Sequence, residues 1–211
     1  MPMPQKQDFF TMANGLVKMT RGDYHATADA IWLADAVDAK KAKTVLDAGI
    51  GTGAASLCLL ARAKHLKITG LDNSEKMLVE CEQNLKLNNA DIELIRNDLF
   101  IWKTNRTFDV VMTNPPYFKG SARAGGMHHN ADIFEWTRAC GRRVRPRGYI
   151  YIIVDAAQTA RVIQALDTFG NININPLFSN RDTAERVIVS ARLGVKTGTT
   201  VHKGRNIVTS D

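Results

Sequence analysis

The sequence predicts an α/β fold with a doubly wound, mostly parallel sheet, and three observations carry that prediction. Short β-favouring runs alternate with helix-like segments from Thr44 onward, a succession that builds βαβ units. The first such run ends in a glycine cluster, Gly49, Gly51 and Gly53, where a first strand hands over to a first helix. Residues 149–154 are almost continuously apolar, as a strand covered by helices on both faces would be.

Each element has its own reason. A lead segment, residues 1–42, contains a helix over 27–37. The β-favouring run at 44–46 is followed by helix formers over 54–63. A second strand covers 68–71, and Asn73 or Ser74 then caps a helix whose first turn gains from Glu75. In that helix Leu78, Cys81 and Leu85 recur at helical spacing before Asn88 and Asn89 end it. Strands follow at 92–95 and 108–113, then a helix over 132–144 with Ile133, Thr137, Cys140 and Val144 on one face. After the apolar strand come a helix over 157–169, closed by Gly170, and two late strands at 172–178 and 186–193. These make seven strands. With no helix between the last two, one of them is expected to run antiparallel at the edge. Residues 194–211 are polar and read as a strand or a tail.

The chain of 211 residues is 45% hydrophobic and 23% charged, with 15 Gly and 6 Pro. That excludes disordered, collagen-like and disulfide-scaffold classes and predicts one domain over residues 1–211, with its core at 43–193. Cys58, Cys81 and Cys140 are odd in number and widely spaced, so they read as reduced core residues and not as a disulfide or zinc framework. No apolar run is long enough to span a bilayer, and residues 1–10 lack an apolar signal region, so a cytoplasmic location is expected. No metal site is expected either, because His128 and His129 have no accompanying ligand set.

Asp47-Ala48-Gly49-Ile-Gly51-Thr-Gly53 sits at the first strand-to-helix turn. Glycines there permit a tight turn and bring a ligand close to backbone N–H groups at a helix N-terminus. Two readings compete, since Gly49-x-Gly51-x-x-Ala54 also satisfies the dinucleotide fingerprint and Asp72 lies where a ribose-binding acid belongs. Asp47 before the first Gly, and Asp98 past the third strand, distinguish them. An anionic Asp47 suits a ligand bearing an ammonium group better than a pyrophosphate, and S-adenosylmethionine is such a ligand. On that reading the Gly turn holds the methionine moiety, Asp72 accepts both ribose hydroxyls, and Asp98 accepts from the adenine amino group. The neighbours Ala48, Asn73 and Leu99, and Asn114 after the strand at 108–113, join this cofactor set.

Asn114-Pro115-Pro116-Tyr117 follows the strand at 108–113. Two prolines remove N–H donors and fix φ, so the chain leaves the sheet rigidly with its carbonyls available to a ligand. A planar exocyclic amine needs two acceptors for its two hydrogens while its lone pair faces a methyl donor. Asn114 and the following backbone supply them, and Tyr117 stacks on the flat group bearing the amine. No strong base is required, because the nitrogen sheds its proton once it has become cationic.

With these residues in place, the chain resembles the bacterial tRNA adenine-N6-methyltransferase family acting on valine tRNA, of the class I amino-methyltransferases. The lead segment from Leu16 to Ala34, with an aromatic, Thr27 and Asp29 before an apolar helix, is similar as well, and the likeness covers residues 16–193. The resemblance implies a Rossmann-like, seven-stranded fold, S-adenosylmethionine as cofactor, Thr27 and Asp29 approaching it, and an anticodon-loop adenine as target. The stretch Gly125-Gly-Met-His-His-Asn130 departs from the family pattern. A protein-glutamine N-methyltransferase, whose members usually carry a separate N-terminal helical domain, and an rRNA guanine-N2-methyltransferase are the enzyme alternatives. A non-catalytic RNA- or cofactor-binding module is the alternative outside enzymes.

Charge adds a partner. The chain has 28 Lys and Arg against 21 Asp and Glu, net +7. Residues 1–118 are neutral, with 14 of each sign, whereas residues 119–211 hold 14 basic and 7 acidic residues. A basic run, Lys119, Arg123, Arg142, Arg143, Arg145 and Arg147, is expected to contact tRNA phosphates around the mouth of the Asn114 pocket. The three Trp residues, Trp32, Trp102 and Trp136, are expected in the core. A monomer or weak dimer is expected.

Overall fold

The computed structural model describes residues 9–21, 27–116, 132–179 and 182–207. The elements in chain order are β1 (Phe9–Met12), β2 (Val17–Thr20), α1 (Ala28–Ala36), β3 (Thr44–Ala48), α2 (Ala54–Arg62), β4 (Lys67–Asp72), α3 (Glu75–Leu87) and β5 (Glu93–Arg96). They continue with β6 (Phe108–Thr113), α4 (Ile133–Gly141), β7 (Val144–Asp155), α5 (Thr159–Ala165), β8 (Phe169–Phe178), β9 (Arg186–Leu193), β10 (Thr199–Val201) and β11 (Arg205–Asn206).

The main sheet runs β10-β8-β9-β7-β6-β3-β4-β5, with β11 also on β8. Strands β3 to β7 pair parallel, and β9 pairs antiparallel with β7 on one side and β8 on the other. The antiparallel strand β9 thus lies towards one edge between β7 and β8, and β10 and β11 from the polar C-terminal segment pair with β8, so that among the described residues this sheet has nine strands where seven were expected. Chain order reverses between β3 and β6, which opens a crevice at their carboxyl ends.

Both sheet faces are buried, and neighbouring strand residues belong to opposite cores. Val45, Val110, Met112 and Ile153 join the apolar cluster under α1, α2 and α3. Leu46, Val111, Ile150 and Ile152 join the cluster under α4 and α5. This alternation with both sides apolar explains why the strands read as continuous hydrophobic runs. The three cysteines are free and buried.

Local signals set the helix starts. The Ser74 hydroxyl accepts from the Met77 N–H at 3.3 Å, with Glu75 in the first turn. Asp132 caps α4 by accepting from the Glu135 N–H at 3.1 Å. Gly53 precedes α2 with φ +86°, a left-handed conformation that a side chain would strain. Gly170 does not cap the preceding helix, which ends at Ala165. It lies in β8, where a Cβ would come within 2.3 Å of the Val195 carbonyl oxygen, so its small size serves close passage of the C-terminal segment.

The hairpin β1–β2 has no counterpart in the sequence expectations. Asn14-Gly15 between two apolar stretches is the signal that marks it, and Asn14 and Gly15 take φ +56° and +83°. Two amides on one face of α3 hold it. Asn88 accepts from the Lys18 N–H and donates to the Lys18 carbonyl, at 2.8 and 2.6 Å. Asn84, buried, accepts from the Thr20 N–H at 2.7 Å and donates to the Thr52 carbonyl at 3.0 Å, tying the hairpin to the glycine turn.

Candidate active site

The carboxyl ends of β3, β4, β5 and β6 surround a cavity of about 380 Å³. Thr27, Asp47, Gly49, Gly51, Asp72 and Asn73 line it, as do Asp98, Leu99, Asn114 and Pro116. Parallel β3, β4 and β6 bring Asp47, Asp72 and Asn114 to the same end of the sheet, Asp47 in register with Gly70 and Met112, two residues before Asp72 and Asn114.

The glycine turn is braced from within. The Gly49 and Ile50 N–H groups both donate to the Leu71 carbonyl, at 2.8 and 3.0 Å, and the Gly53 N–H donates to Ile50. The Gly51 N–H donates to Asp72 at 2.9 Å. These four N–H groups are therefore committed to the protein, which narrows the expectation from sequence to the N–H groups of the helix itself. A pyrophosphate would find three nearby carboxylates and few donors, so the turn is built for a cationic or neutral group. The first turn of α2, through Ala54 and Ala55, also faces the cavity and presents N–H groups without intrahelical partners.

The acids differ in setting. Asp47 is 2% exposed and accepts from the Ser56 hydroxyl at 2.7 Å. Burial raises its pKa to about 7, the Ser56 bond opposes that rise, and Asp72 adds to it. Asp72 uses one carboxylate oxygen for the Gly51 N–H and the other for the Ser74 N–H, at 2.9 Å each. Each oxygen keeps a second lone pair for a ligand hydroxyl. Asp98 accepts from the Phe100 N–H at 2.8 Å.

Trp136 packs against the apolar cluster under α4, as expected, and also faces the site. It lines the cavity, its indole N–H donates to the Thr113 hydroxyl at 3.0 Å, and Thr113 in turn donates to the Ala48 carbonyl at 2.7 Å. Its ring meets Phe100 edge to face, centroids 6.0 Å apart. Gly49 takes φ +75°, and a Cβ there would sit 3.3 Å from the indole ring. Ile50, Met77 and Phe100 also line the cavity. Apolar residues beside a motif carry no spacing signal, so sequence alone could not have singled them out.

A second, smaller cavity shares Asn114 and Pro116 with the first and adds Pro115, Asp29, Asp155, Gln158 and Arg186. Asp29 belongs here and not to the first cavity. Its carboxylate is 3.0 Å from Arg186 Nε, and Arg186 also pairs with Asp155. Among the other expected cofactor residues, Ala48 is fully buried in the core under α4, with its carbonyl taken by Thr113. Gly53 faces α3, where a Cβ would come within 2.7 Å of Cys81 Sγ. It is thus a packing glycine.

Tyr117, Lys119 and Arg123 lie outside the described residues, as do His128 and His129. Arg142, Arg143, Arg145 and Arg147 do not surround the Asn114 pocket. Phe108, the first residue of β6, donates its N–H to the Arg143 carbonyl at 2.8 Å, and Arg145 pairs with Asp109. These residues therefore occupy the amino end of the strands, opposite Asn114. Arg143 turns inward, donating to the Trp102 and Thr104 carbonyls and stacking on the Trp102 ring. Among the described residues there is no cluster of three or more metal-ligating side chains, and no helix is long and apolar enough to cross a membrane.

Comparison with known proteins places this site in context. Residues 27–178 match the family model described as methyltransferase small domain. A tRNA1(Val) (adenine(37)-N6)-methyltransferase of Glaesserella parasuis is 27% identical over 154 residues, which cover 67% of this chain but only 64% of that protein. A putative protein N5-glutamine methyltransferase of Methanocaldococcus jannaschii is 31% identical over 173 residues, covering 82% of this chain and 85% of that protein. The crystal structure of a predicted O-methyltransferase from Agrobacterium tumefaciens superposes with a TM-score of 0.71 at 24% identity, over 87% of this chain and 89% of that one. That likeness shows the shared fold.

Proposed function

The chain belongs to the methyltransferase small domain family, and on that premise we propose that it transfers a methyl group from S-adenosylmethionine to the exocyclic N6 of an anticodon-loop adenine in tRNA. The observation that carries this reading is the position of Asn114-Pro115-Pro116. Asn114 and Pro116 line both cavities, which supports a motif that joins a cofactor chamber to an acceptor slot.

The residues present fit the cofactor. Asp47 and Asp98 offer acceptors to an ammonium and an amino group, and Asp72 keeps lone pairs for two ribose hydroxyls. Thr27, Gly49, Gly51, Asn73 and Leu99 complete the wall. Bound S-adenosylmethionine supplies an electrophilic methyl group on a sulfonium. Asn114 and the backbone carbonyl of Pro115 accept the two hydrogens of the target amine and hold its nitrogen at the junction. Tyr117, outside the described residues, is assigned to stack on the base. The tRNA substrate is supported by the G. parasuis relative and by the net charge of +7.

A second reading, methylation of a protein glutamine amide, is favoured by the M. jannaschii relative. The same two acceptors serve an amide NH2. Because the match spans 85% of that protein, a separate helical domain does not distinguish the two substrates here. The deciding experiment offers methyl-labelled cofactor to total tRNA, total rRNA and protein fractions, followed by nucleoside mass analysis. N6-methyladenosine in tRNA is expected; label in protein or rRNA alone overturns the tRNA assignment.

A further inference from the structure

The amino-terminal edge of the main sheet, far from the cofactor cavity, gathers cations from four strands. Lys43 precedes β3, and its carbonyl accepts the N–H of Lys67, the first residue of β4, at 2.8 Å. Asp109, at the start of β6, accepts from the Lys43 N–H at 2.7 Å and pairs with Arg145 at the start of β7. The Arg147 carbonyl accepts from Arg192 Nε at 2.9 Å, and the Arg192 guanidinium lies 5.2 Å from the Tyr149 ring centroid. With Arg142 just past the end of α4, this end of the sheet carries six cations, of which Arg145 pairs with Asp109. The Asp109 side chain is 13% exposed and that of Arg145 50%, so the anion is drawn inward and the cation turned out.

Beside these cations runs a groove of about 1020 Å³. Lys64, Lys67 and Arg106 line it together with Asp91, Glu93, Leu60, Leu66 and Phe108, and Arg106 pairs with Glu93 at 2.6 Å. Lys64 and Lys67 extend the cationic edge along one wall of this groove, where the phosphates of a nucleic-acid backbone can take their charge.

We propose that this edge docks the phosphate backbone of a folded RNA at a point remote from the methylated base. The inference rests on the RNA reading above and adds a second docking point to it. β6 separates the edge from Asn114 by roughly 20 Å at ~3.3 Å per residue, about two Debye lengths at 0.1 M salt. The two ends of the sheet therefore act on a ligand as separate electrostatic fields. One RNA molecule reaches both only if it extends well beyond the target loop.

The test compares full-length tRNA with an isolated anticodon stem-loop, each titrated against the parent protein and the triple variant Lys43→Gln, Arg142→Gln, Arg147→Gln over a salt series. Full-length tRNA is expected to bind the parent about tenfold tighter than the stem-loop. The variant is expected to lose that advantage and to show a log–log salt slope shallower by about two to three, one for each phosphate that the protein no longer neutralises. Stem-loop binding and calorimetric S-adenosylmethionine binding stay at parent values, the latter also verifying the fold. Unchanged tRNA affinity and slope in the variant, with tRNA still methylated by the parent, overturns the edge docking and leaves the proposed function standing. A parent that neither binds nor methylates RNA overturns both. Salt-sensitive self-association of the parent, abolished in the variant while RNA affinity is unchanged, reassigns the edge to a second copy of this chain.

Discussion

The two ends of the main sheet hold charge in opposite ways. At the carboxyl end Asp47 and Asp72 are turned towards the fold, their oxygens engaged by Ser56, the Gly51 N–H and the Ser74 N–H. At the amino end Lys43, Arg142, Arg145 and Arg147 reach solvent, and Asp109 beneath them takes two backbone N–H groups, those of Lys43 and Thr44. Fixed acids in a walled cavity shape a small ligand site, where each oxygen has a set direction. Exposed cations on an open edge suit a polyanion whose phosphates need charge more than geometry. In one α/β unit, the strand direction alone puts these two charge arrangements at opposite ends.

Changes at the carboxyl end are therefore expected to alter chemistry or cofactor binding, and changes at the amino end to alter stability or RNA affinity. The largest effect is expected for Asn114→Ala, which removes one of the two acceptors proposed for the hydrogens of the target amine. It should lower kcat by about 10² to 10³ while cofactor affinity by calorimetry stays within about threefold; loss of cofactor binding instead would move Asn114 into the cofactor set. Next is Asp72→Ala, expected to weaken cofactor binding roughly tenfold to a hundredfold because two charged hydrogen bonds are removed, with RNA affinity unaltered.

Asp47 adds a pH dependence with a definite sign. Its pKa is raised to about 7 in the fold, so between about 4 and 7 the folded protein holds a proton that the unfolded chain has released. Stability contributed by this group is thus full below about pH 4 and falls as pH rises to about 7. An ammonium ligand needs the ionised carboxylate, so cofactor affinity should rise through that same pH, by up to about tenfold per unit below it. Asp47→Asn should flatten both curves, as read by Tm without cofactor and by calorimetry with it; a parent-like slope in the variant would assign the titration to another group.

The smallest effects test the supports. Arg143→Met at the amino end should cost about 2 kcal/mol by orphaning the Trp102 and Thr104 carbonyls, lowering Tm by roughly 4–8 °C for a chain of this size. Its tRNA salt slope should stay at the parent value, in contrast to the exposed cations beside it. Trp136→Phe should cost about 1 kcal/mol by removing the bond to Thr113, measured by denaturant unfolding, and a larger drop in cofactor affinity than in stability would show that the indole also shapes the cavity.

Much of the fold was legible because local signals and tertiary demands coincide. The Ser74 cap, the left-handed Gly53 and the doubly apolar strands each state a local preference that the packing then satisfies. The hairpin was overlooked because its strands are four residues each and its docking depends on Asn84 and Asn88, polar residues some seventy positions away in the chain. Gly170 looked like a helix stop because a glycine after a helix and a glycine under a crossing strand are identical in one dimension.

Sequence by itself determined the strand-and-helix succession, the glycine turn with its three acids, and the Asn-Pro-Pro motif, since each is a short-range pattern with a local physical cause. The tertiary structure decided where those patterns face. It committed the N–H groups of the glycine turn to Leu71 and Asp72, drew Asp29 to Arg186, and brought Trp136 into the cavity. It also carried the arginines of residues 142–147 to the end of the sheet opposite the motif they follow in sequence. Parallel strands impose this last result, because the chain leaves β6 at one end and must return to the other before β7 can begin.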